Sequence, residues 1–247
     1  MKVLFSPSET KTTHVDSPSI HQNSFVFPDL YAKRCEVVSC YDSFANNASN
    51  DELQQLFGIK DETKIQELTS SSILTSLTCK AIERYDGVAY DYLSYASLDL
   101  ASRAWIESHV MIFSNLFGPI LANDKIPYYK LQQGEALGSF KPEIFYKKYF
   151  SDAITSWLDN ETILDLRAGF YEKFYTLSQP YITMKFLKNG KVVSHFAKAY
   201  RGTVLRTLAQ HKPSTEKEFA DIAFDALRIV EIKQGRFKKE LVYEIID

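Results

Sequence analysis

The chain has 247 residues, of which 45% are hydrophobic and 24% are charged, and its 29 lysines and arginines compare with 31 aspartates and glutamates. This balance is typical of a globular protein and excludes a disordered or collagen-like chain. The formal net charge of −2 excludes a wholly basic protein that coats nucleic acid, although it is compatible with a local basic patch.

The sequence predicts a cytoplasmic protein with no membrane partner. No apolar run approaches the ~18–20 residues that a membrane span needs, and the opening MKVLFSPSETK turns polar too early for a secretory signal. The three cysteines, Cys35, Cys40 and Cys79, are an odd number without C-x-x-C spacing. They indicate a reducing compartment, with neither a disulfide framework nor a zinc site.

Three short apolar runs predict strands that are buried on both faces: 3–5, 110–113 and 163–166. Each run ends abruptly in small or polar residues, at 6–8, 114–115 and 167–169. If the three strands are parallel neighbours, these polar ends meet at one edge of the sheet. That edge is where ligand-contacting groups gather in α/β sheets.

Between the predicted strands, residues 12–30 are polar and aperiodic, which is typical of a long surface loop. Helices are predicted from Asn50 to a stop at Gly58, over about 62–85, and from Pro142 through Leu158.

Two hairpins are predicted near the C-terminus. The Asn189-Gly190 pair predicts a β-hairpin over 185–196, and a second hairpin is predicted to join 229–232 to 241–245. The segment 81–105 reads as two helices with a short turn, a candidate helix-hairpin-helix that would present backbone N–H groups to a DNA phosphate. We therefore predict an α+β fold in one domain over 1–247, with a mixed sheet, surrounding helices and β-hairpins toward the C-terminus.

Positive charge is concentrated between Lys185 and Lys212, a segment that contains seven lysines and arginines and no aspartate or glutamate. Lys198 and Arg201 are three residues apart in a predicted helix and therefore share a face. Arginine and lysine so placed suit a phosphate group, although a solvated basic face is the more common meaning of such a segment.

Other catalytic templates are missing from the sequence. It contains no G-x-x-x-x-G-K-[ST], no G-x-G-x-x-G and no G-x-S-x-G. The nearest metal-like group, His14 with Asp16 and His21, lies in the predicted loop. We predict neither a metal nor a cofactor.

The chain resembles the YaaA family of peroxide stress proteins over nearly its whole length, through five motifs in the same order. They are Ser6-Pro7-Ser8-Glu9-Thr10-Lys11; Ala81-Ile82 with Tyr85-x-Gly87 and Tyr90; Leu116-Phe117-Gly118 with Asp124-x-Ile126-Pro127-Tyr128-x-x-Leu131-x-x-Gly134; Leu164-Asp165-Leu166-Arg167-Ala168-Gly169-x-Tyr171; and Val193-Ser194-His195-Phe196-x-Lys198-x-x-Arg201-Gly202.

The opening motif resembles the branch of the family that is common outside the enteric bacteria. It has Glu9 where enteric-type members have lysine, and Lys11 supplies a positive charge two residues later. Lys130 stands where arginine is usual, which keeps the charge and loses the bidentate fork.

The resemblance implies a cytosolic protein that helps the cell to survive hydrogen peroxide, by holding down unincorporated iron and protecting DNA. It also implies DNA binding through a basic cleft and a helix-hairpin-helix element. We expect duplex or distorted DNA to be held mainly through its phosphates, with little dependence on sequence. The expected DNA or phosphate contacts are Ser6, Lys11, Tyr128, Lys130, Arg167, Lys198, Arg201 and Arg206.

A second hypothesis is an enzyme that acts on a nucleobase, a nucleotide or another phosphorylated small molecule. The family motifs at the predicted strand ends combine an acid or base, a lysine able to act as a nucleophile, and phosphate anchors. The candidate catalytic residues are Lys198, Glu9, His195 and Tyr171. This hypothesis requires a concave pocket where such groups meet and a group with a strongly shifted pKa.

Overall fold

The computed structural model describes residues 1–246, except for the side chains of Ser194 and His195. Its helices are α1 (Tyr31–Asn47), α2 (Asn50–Phe57), α3 (Glu62–Thr69), α4 (Ala81–Arg84), α5 (Val88–Leu93), α6 (Leu100–His109), α7 (Pro142–Trp157), α8 (Ser194–His211) and α9 (Glu216–Ala220). Its strands are β1 (Lys2–Phe5), β2 (Thr10–Lys11), β3 (Thr78–Lys80), β4 (Tyr85–Asp86), β5 (Val110–Ser114), β6 (Gly118–Leu121), β7 (Lys125–Pro127), β8 (Ile163–Asp165), β9 (Tyr181–Lys188), β10 (Lys191–Val192), β11 (Leu227–Gln234) and β12 (Lys238–Ile245).

The described residues form a mixed main sheet in the order β11-β12-β9-β8-β1-β5-β6, with β10 paired to β9. The three predicted buried strands are parallel neighbours in its centre, because β1 pairs in parallel with β5 on one side and with β8 on the other. Two short antiparallel pairs, β2 with β4 and β3 with β7, lie outside this sheet. The predicted mixed sheet of an α+β fold is confirmed.

The central strands are covered on both faces. Successive strand residues point to opposite faces, and yet Val3 and Leu4 are both fully buried, as are Met111 and Ile112. This explains why these strands appear in the sequence as unbroken apolar runs rather than as alternating patterns.

The prediction of one long helix over about 62–85 is wrong. Helix α3 ends at Thr69, and the Ser70 hydroxyl then donates to the carbonyl of Glu67 while the Ser72 hydroxyl accepts from the amide of Leu74. Serine side chains that bond to nearby backbone compete with helix propagation. The chain then forms β3, which pairs with β7, before the single turn of α4.

Both predicted C-terminal hairpins are present. Asn189 and Gly190 have φ of 52° and 70°, the positive values that a type I′ turn requires, and they join β9 to β10. The second of these strands is shorter than predicted, because α8 begins at Ser194. The predicted loop over 12–30 is mostly irregular, but it is not wholly at the surface, since Ile20 and Phe25 are buried.

The segment 81–105, predicted as two helices with a short turn, is divided further. It contains α4, the two-residue strand β4 and then α5, and residues 94–99 join α5 to α6. Ser94 takes the left-handed conformation there, with φ of 47°, and the connection contains no glycine. Helix α8 packs against α5 and also against β9. None of the helices within residues 1–246 is both long and apolar enough to cross a bilayer.

Candidate functional site

A cavity of about 280 Å³ lies beyond the C-terminal ends of β1 and β8. The parallel pairing of these strands brings Ser6 and Ala168 to the same edge of the sheet, as expected for strand ends that meet there. The cavity is lined by Phe5, Ser6, Pro7, Ser8, Glu9, Thr10, Gly87, Val88, Ala89, Tyr90, Gln133, Leu166, Ala168, Tyr171, Lys198 and Arg201.

The floor of the cavity is fixed by hydrogen bonds to Ser6. Its hydroxyl accepts from the amide of Ala168 at 2.8 Å, and its carbonyl accepts from the hydroxyl of Tyr90 at 2.9 Å. These bonds connect the ends of β1 and β8 to α5. Because the Ser6 hydroxyl acts as an acceptor in its bond to Ala168, its own hydrogen is available to a ligand.

Helix α8 supplies the basic wall. Lys198 is exposed at the cavity, whereas Arg201, one turn later, is half-buried in it. Burial lowers the pKa of Arg201, and the negative charge of Asp165 partly opposes this effect. Within the described part of the chain, the Arg201 guanidinium has no hydrogen bond or ion pair.

Gly202 explains how α8 approaches the cavity. A Cβ at this position would overlap the carbonyl oxygen of Ala89 and lie 2.9 Å from the carbonyl carbon of that residue. The two helices therefore pack backbone to backbone, which only glycine permits at this contact. This packing places Arg201 against the same cavity as α5 residues Ala89 and Tyr90.

Glu9 brings a carboxylate to the cavity wall. Its Oε1 accepts from the backbone amide of Gln133 at 2.9 Å, and its backbone carbonyl accepts from Lys130 Nζ at 3.2 Å. The residue is exposed. A carboxylate fixed in this way is a candidate acid or base for a ligand in the cavity.

Lys11 lies behind this wall and is buried. Its Nζ donates to the carbonyl of Ser8 at 3.0 Å and lies 4.3 Å from the ring centre of Tyr129. Burial lowers the pKa of Lys11 from 10.5 to about 7, although the Glu9 charge opposes this change. The positive charges of Lys130 and Arg84 lower it further.

The other expected site residues are placed as follows. Tyr171 lines the cavity, and burial raises its pKa. Tyr128 is half-buried and does not line the cavity, whereas Lys130 contacts the cavity wall at the Glu9 carbonyl. The backbone of His195 is in the first turn of α8, and its side chain lies outside the described part of the structure.

Two of the expected phosphate contacts make other bonds. Arg167 Nε and Nη2 donate to the two carboxylate oxygens of buried Asp165, at 2.9 and 2.8 Å, and Nη1 donates to the carbonyls of Tyr171 and Tyr175. Arg206 Nη1 donates to the carbonyl of Leu93 and to the Ser97 hydroxyl, both at 2.9 Å. Neither arginine lines the cavity.

Sequence reasoning missed Tyr90 and Gln133 as lining residues. Tyr90 belongs to a family motif, so a signal for it was present in the sequence. Gln133 carries no such signal, because its contribution to the Glu9 contact is a backbone amide. Away from the cavity, the potential metal-ligand atoms of His14, Asp16 and Glu83 lie within 4.8 Å of one another. The sequence analysis grouped His14 and Asp16 with His21, and the structure has Glu83 in that place.

A second cavity, of about 220 Å³, lies between the C-terminal hairpin and α9. Its walls are mostly apolar, and its lysine, Lys239, is paired with Glu216 at 2.7 Å. The strand-end cavity is therefore the better candidate for a polar ligand.

Comparison with known proteins gives one family. A family model described as peroxide stress protein YaaA matches residues 1–232. The chain is 47% identical to an uncharacterised protein of Campylobacter jejuni over the full length of both chains. It is 32% identical to a UPF0246 protein of Corynebacterium efficiens, over 96% of this chain and 97% of that protein, and 28% identical to a UPF0246 protein of Streptomyces coelicolor, over 84% and 82%. The chain thus belongs to the family of the peroxide stress protein YaaA.

Proposed function

We propose that the strand-end cavity binds a phosphorylated small molecule of the nucleotide type and that the protein is an enzyme acting on it. One observation carries this proposal: Arg201 has no partner among the described residues and shares its cavity with the Ser6 hydroxyl and the Glu9 carboxylate. A protein that only follows a phosphate backbone uses cations and hydroxyl donors, whereas a carboxylate beside them would repel the phosphates.

We assign the phosphate group of the ligand to the two basic side chains that α8 brings to the cavity. The guanidinium of Arg201 can grip two phosphate oxygens at once, and the ammonium of Lys198 adds a point charge at the same cavity. Because Arg201 is half-buried, an anion that binds there is less screened by water than one on an open surface.

We assign the base or sugar of the ligand to the floor of the cavity. Tyr90 and Tyr171 line the cavity and provide aromatic surface for a base or sugar. The cavity volume of about 280 Å³ lies near the lower end of the ~300–1,000 Å³ typical of ligand pockets, which favours a mononucleotide or a sugar phosphate over a larger cofactor. Glu9 is the acid or base in this assignment.

A thermal-shift screen tests the proposal. Nucleoside monophosphates, sugar phosphates and inorganic phosphate are compared with the corresponding nucleosides and sugars. We expect stabilisation by phosphorylated compounds alone, with loss of the shift in Arg201→Gln. Lys217→Gln is the control, since it makes the same charge change at an exposed position of α9. This helix follows Ser214, whose carbonyl accepts from the amino group of Met1, so it lies near the N-terminal end of β1, whereas the cavity lies beyond the C-terminal end. Equal shifts in both variants would contradict the proposal.

DNA is the second candidate ligand, and the specific observation in its favour is the charge of the segment 185–212, which contains no aspartate or glutamate. Lys191 and Lys198 are exposed in this segment. Phosphate contacts of this kind make binding nearly independent of sequence and steeply dependent on salt. Binding of a labelled duplex, a bubble and a single strand, measured by fluorescence anisotropy at two salt concentrations, tests this candidate. Unchanged affinity and salt slope in a Lys198→Ala, Arg201→Ala double variant would exclude this site for DNA.

The family is described as that of a peroxide stress protein, and we propose survival of peroxide stress as the cellular role. In this role the activity at the cavity protects DNA and limits damage linked to free iron. A deletion strain challenged with hydrogen peroxide tests it. Wild-type protein should restore survival and Arg201→Gln should not. Equal rescue by both proteins would show that the role in peroxide stress does not depend on the cavity.

A further inference from the structure

Two lysine amines meet at one backbone oxygen beside the cavity. Lys11 Nζ lies 3.4 Å from the carbonyl oxygen of Glu9, and Lys130 Nζ lies 3.2 Å from the same atom. A lysine next to another cation is a known arrangement for an activated amine, because the neighbouring charge disfavours protonation.

The surroundings of Lys11 also disfavour protonation of its amine. Lys11 is only 7% exposed, and its Nζ lies 4.3 Å from the ring centre of Tyr129 and 5.5 Å from that of Tyr85. The charged groups that face it are Lys130 and Arg84, which disfavour its protonation, and Glu9, which favours it. Burial is the largest effect and lowers the pKa to about 7, so a large fraction of the amine carries a free electron pair at neutral pH.

The position of Lys11 connects this amine to the ligand site. Its Nζ donates to the backbone carbonyls of Ser8 and Glu9, and both of these residues line the cavity. The amine therefore lies directly behind the wall that carries the Glu9 carboxylate. Lys11 itself does not line the cavity, so its amine has to leave these two hydrogen bonds to meet a ligand there.

We propose that Lys11 is a nucleophile that forms an imine with the carbonyl carbon of a phosphorylated aldehyde bound in the cavity. This inference rests on the proposed function and restricts its substrate class to sugar phosphates that open to a free aldehyde, since a nucleoside monophosphate has none. The Nζ lone pair attacks the carbonyl carbon, and the electrons of the C=O π bond move to oxygen. One of the two Nζ hydrogens then passes as a proton to that oxygen, which gives a carbinolamine. Loss of the hydroxyl as water, with a hydrogen from Nζ, forms the C=N bond. The step needs no oxidant or reductant, and we assign the transfer of the proton to the Glu9 carboxylate, which belongs to a residue of the cavity lining.

Reductive trapping tests the inference without any variant. The wild-type protein is incubated with ribose 5-phosphate and sodium cyanoborohydride at neutral pH, and the adduct is mapped by peptide mass spectrometry. We expect Lys11 to be modified at least tenfold more than any exposed lysine. Ribose without its phosphate should modify Lys11 far less, and excess inorganic phosphate should suppress the reaction.

Variants define the role of each group. Lys11→Arg keeps a cation and should abolish the adduct, Arg201→Gln should reduce it about tenfold, as expected for the loss of a charged hydrogen bond, and Lys217→Gln should leave it unchanged. Modification spread over exposed lysines, with Lys11 unmodified, would overturn the inference. If nucleotides still stabilise the protein in that case, the proposed function stands. Equal modification of Lys11 by ribose and ribose 5-phosphate would instead contradict a phosphorylated substrate.

Discussion

Gly202 of α8 packs directly on the backbone of Ala89 in α5, with no room for a side chain between the two helices. The preceding residue, Arg201, reaches the cavity that Ala89 also lines. The small size of one residue therefore determines how far the basic helix approaches the ends of the central strands. The Arg-Gly pair of the sequence motif has a geometric meaning: arginine supplies the charge and glycine permits the approach.

Replacing this glycine should separate the two helices. We expect Gly202→Ala to destabilise the protein by ~1–3 kcal/mol through overpacking, which exceeds the ~1 kcal/mol that alanine gains over glycine within a helix. The substitution should also weaken phosphate binding, because Arg201 moves with its helix. Urea unfolding and ligand titration measure the two effects.

Gly169→Ala is the control for that substitution. A Cβ on Gly169 meets no atom within 4 Å, so this variant should stay within ~0.5 kcal/mol of the wild type. Similar free energies of unfolding for the two alanine variants would show that the α5–α8 contact tolerates a side chain.

Substitution of Arg167 should lower the stability of the protein, whereas substitution of Arg201 should lower its affinity for the ligand. Arg167 is bonded to both carboxylate oxygens of buried Asp165, so Arg167→Met leaves a buried charge without its partner and should cost ~3–5 kcal/mol of stability. Arg201 has no such bond within the described residues, so Arg201→Gln should change the stability little and the ligand affinity strongly. A large loss of stability in Arg201→Gln would assign it a structural role instead.

The burial of Lys11 should make stability depend on pH above neutrality. Its pKa in the folded protein is about 7, whereas in the unfolded chain it is ~10.4. Between these values the unfolded chain binds a proton that the folded protein does not, so stability rises with pH. Lys11→Met removes this contribution. The stability of the wild type relative to this variant should increase by about 2–3 kcal/mol between pH 7 and pH 9, at ~1.4 kcal/mol per pKa unit.

Urea unfolding at several pH values measures this difference. The buried tyrosines, whose pKa values are raised, affect the wild type and the variant alike and cancel in the comparison. Parallel stability curves for the two proteins would mean that Lys11 keeps its proton at pH 9, and that the amine is not activated in the way the imine step requires.

The central strands and their meeting ends could be predicted from the sequence, because a strand buried on both faces leaves an unbroken apolar run and parallel strands share one C-terminal edge. The hairpin at Asn189-Gly190 was equally visible, since few residue pairs tolerate two positive φ values. The serines that end the helix after Thr69 are a local signal that the predicted long helix overlooked. The strand β3 that follows had no such signal, because it depends on pairing with β7, a contact between segments about 50 residues apart.

The site was only partly predictable, because many of its contacts join residues that are far apart in the sequence. An arginine in the sequence does not reveal whether its partner is a ligand or the protein itself. Arg206 bonds to residues more than 100 positions away, which no local pattern shows. Arg167 is different, because Asp165 lies two residues before it, and this spacing at the end of a buried strand could have indicated an internal ion pair.

The most direct measurement is calorimetric titration of a nucleoside monophosphate into the wild type, Arg201→Gln and Lys217→Gln. We predict saturable binding that weakens at least tenfold in Arg201→Gln, as expected when a hydrogen bond to a charged group worth ~1.5–3 kcal/mol is lost, and that is unchanged in Lys217→Gln. Equal affinity in all three proteins would show that the strand-end cavity is not the phosphate site.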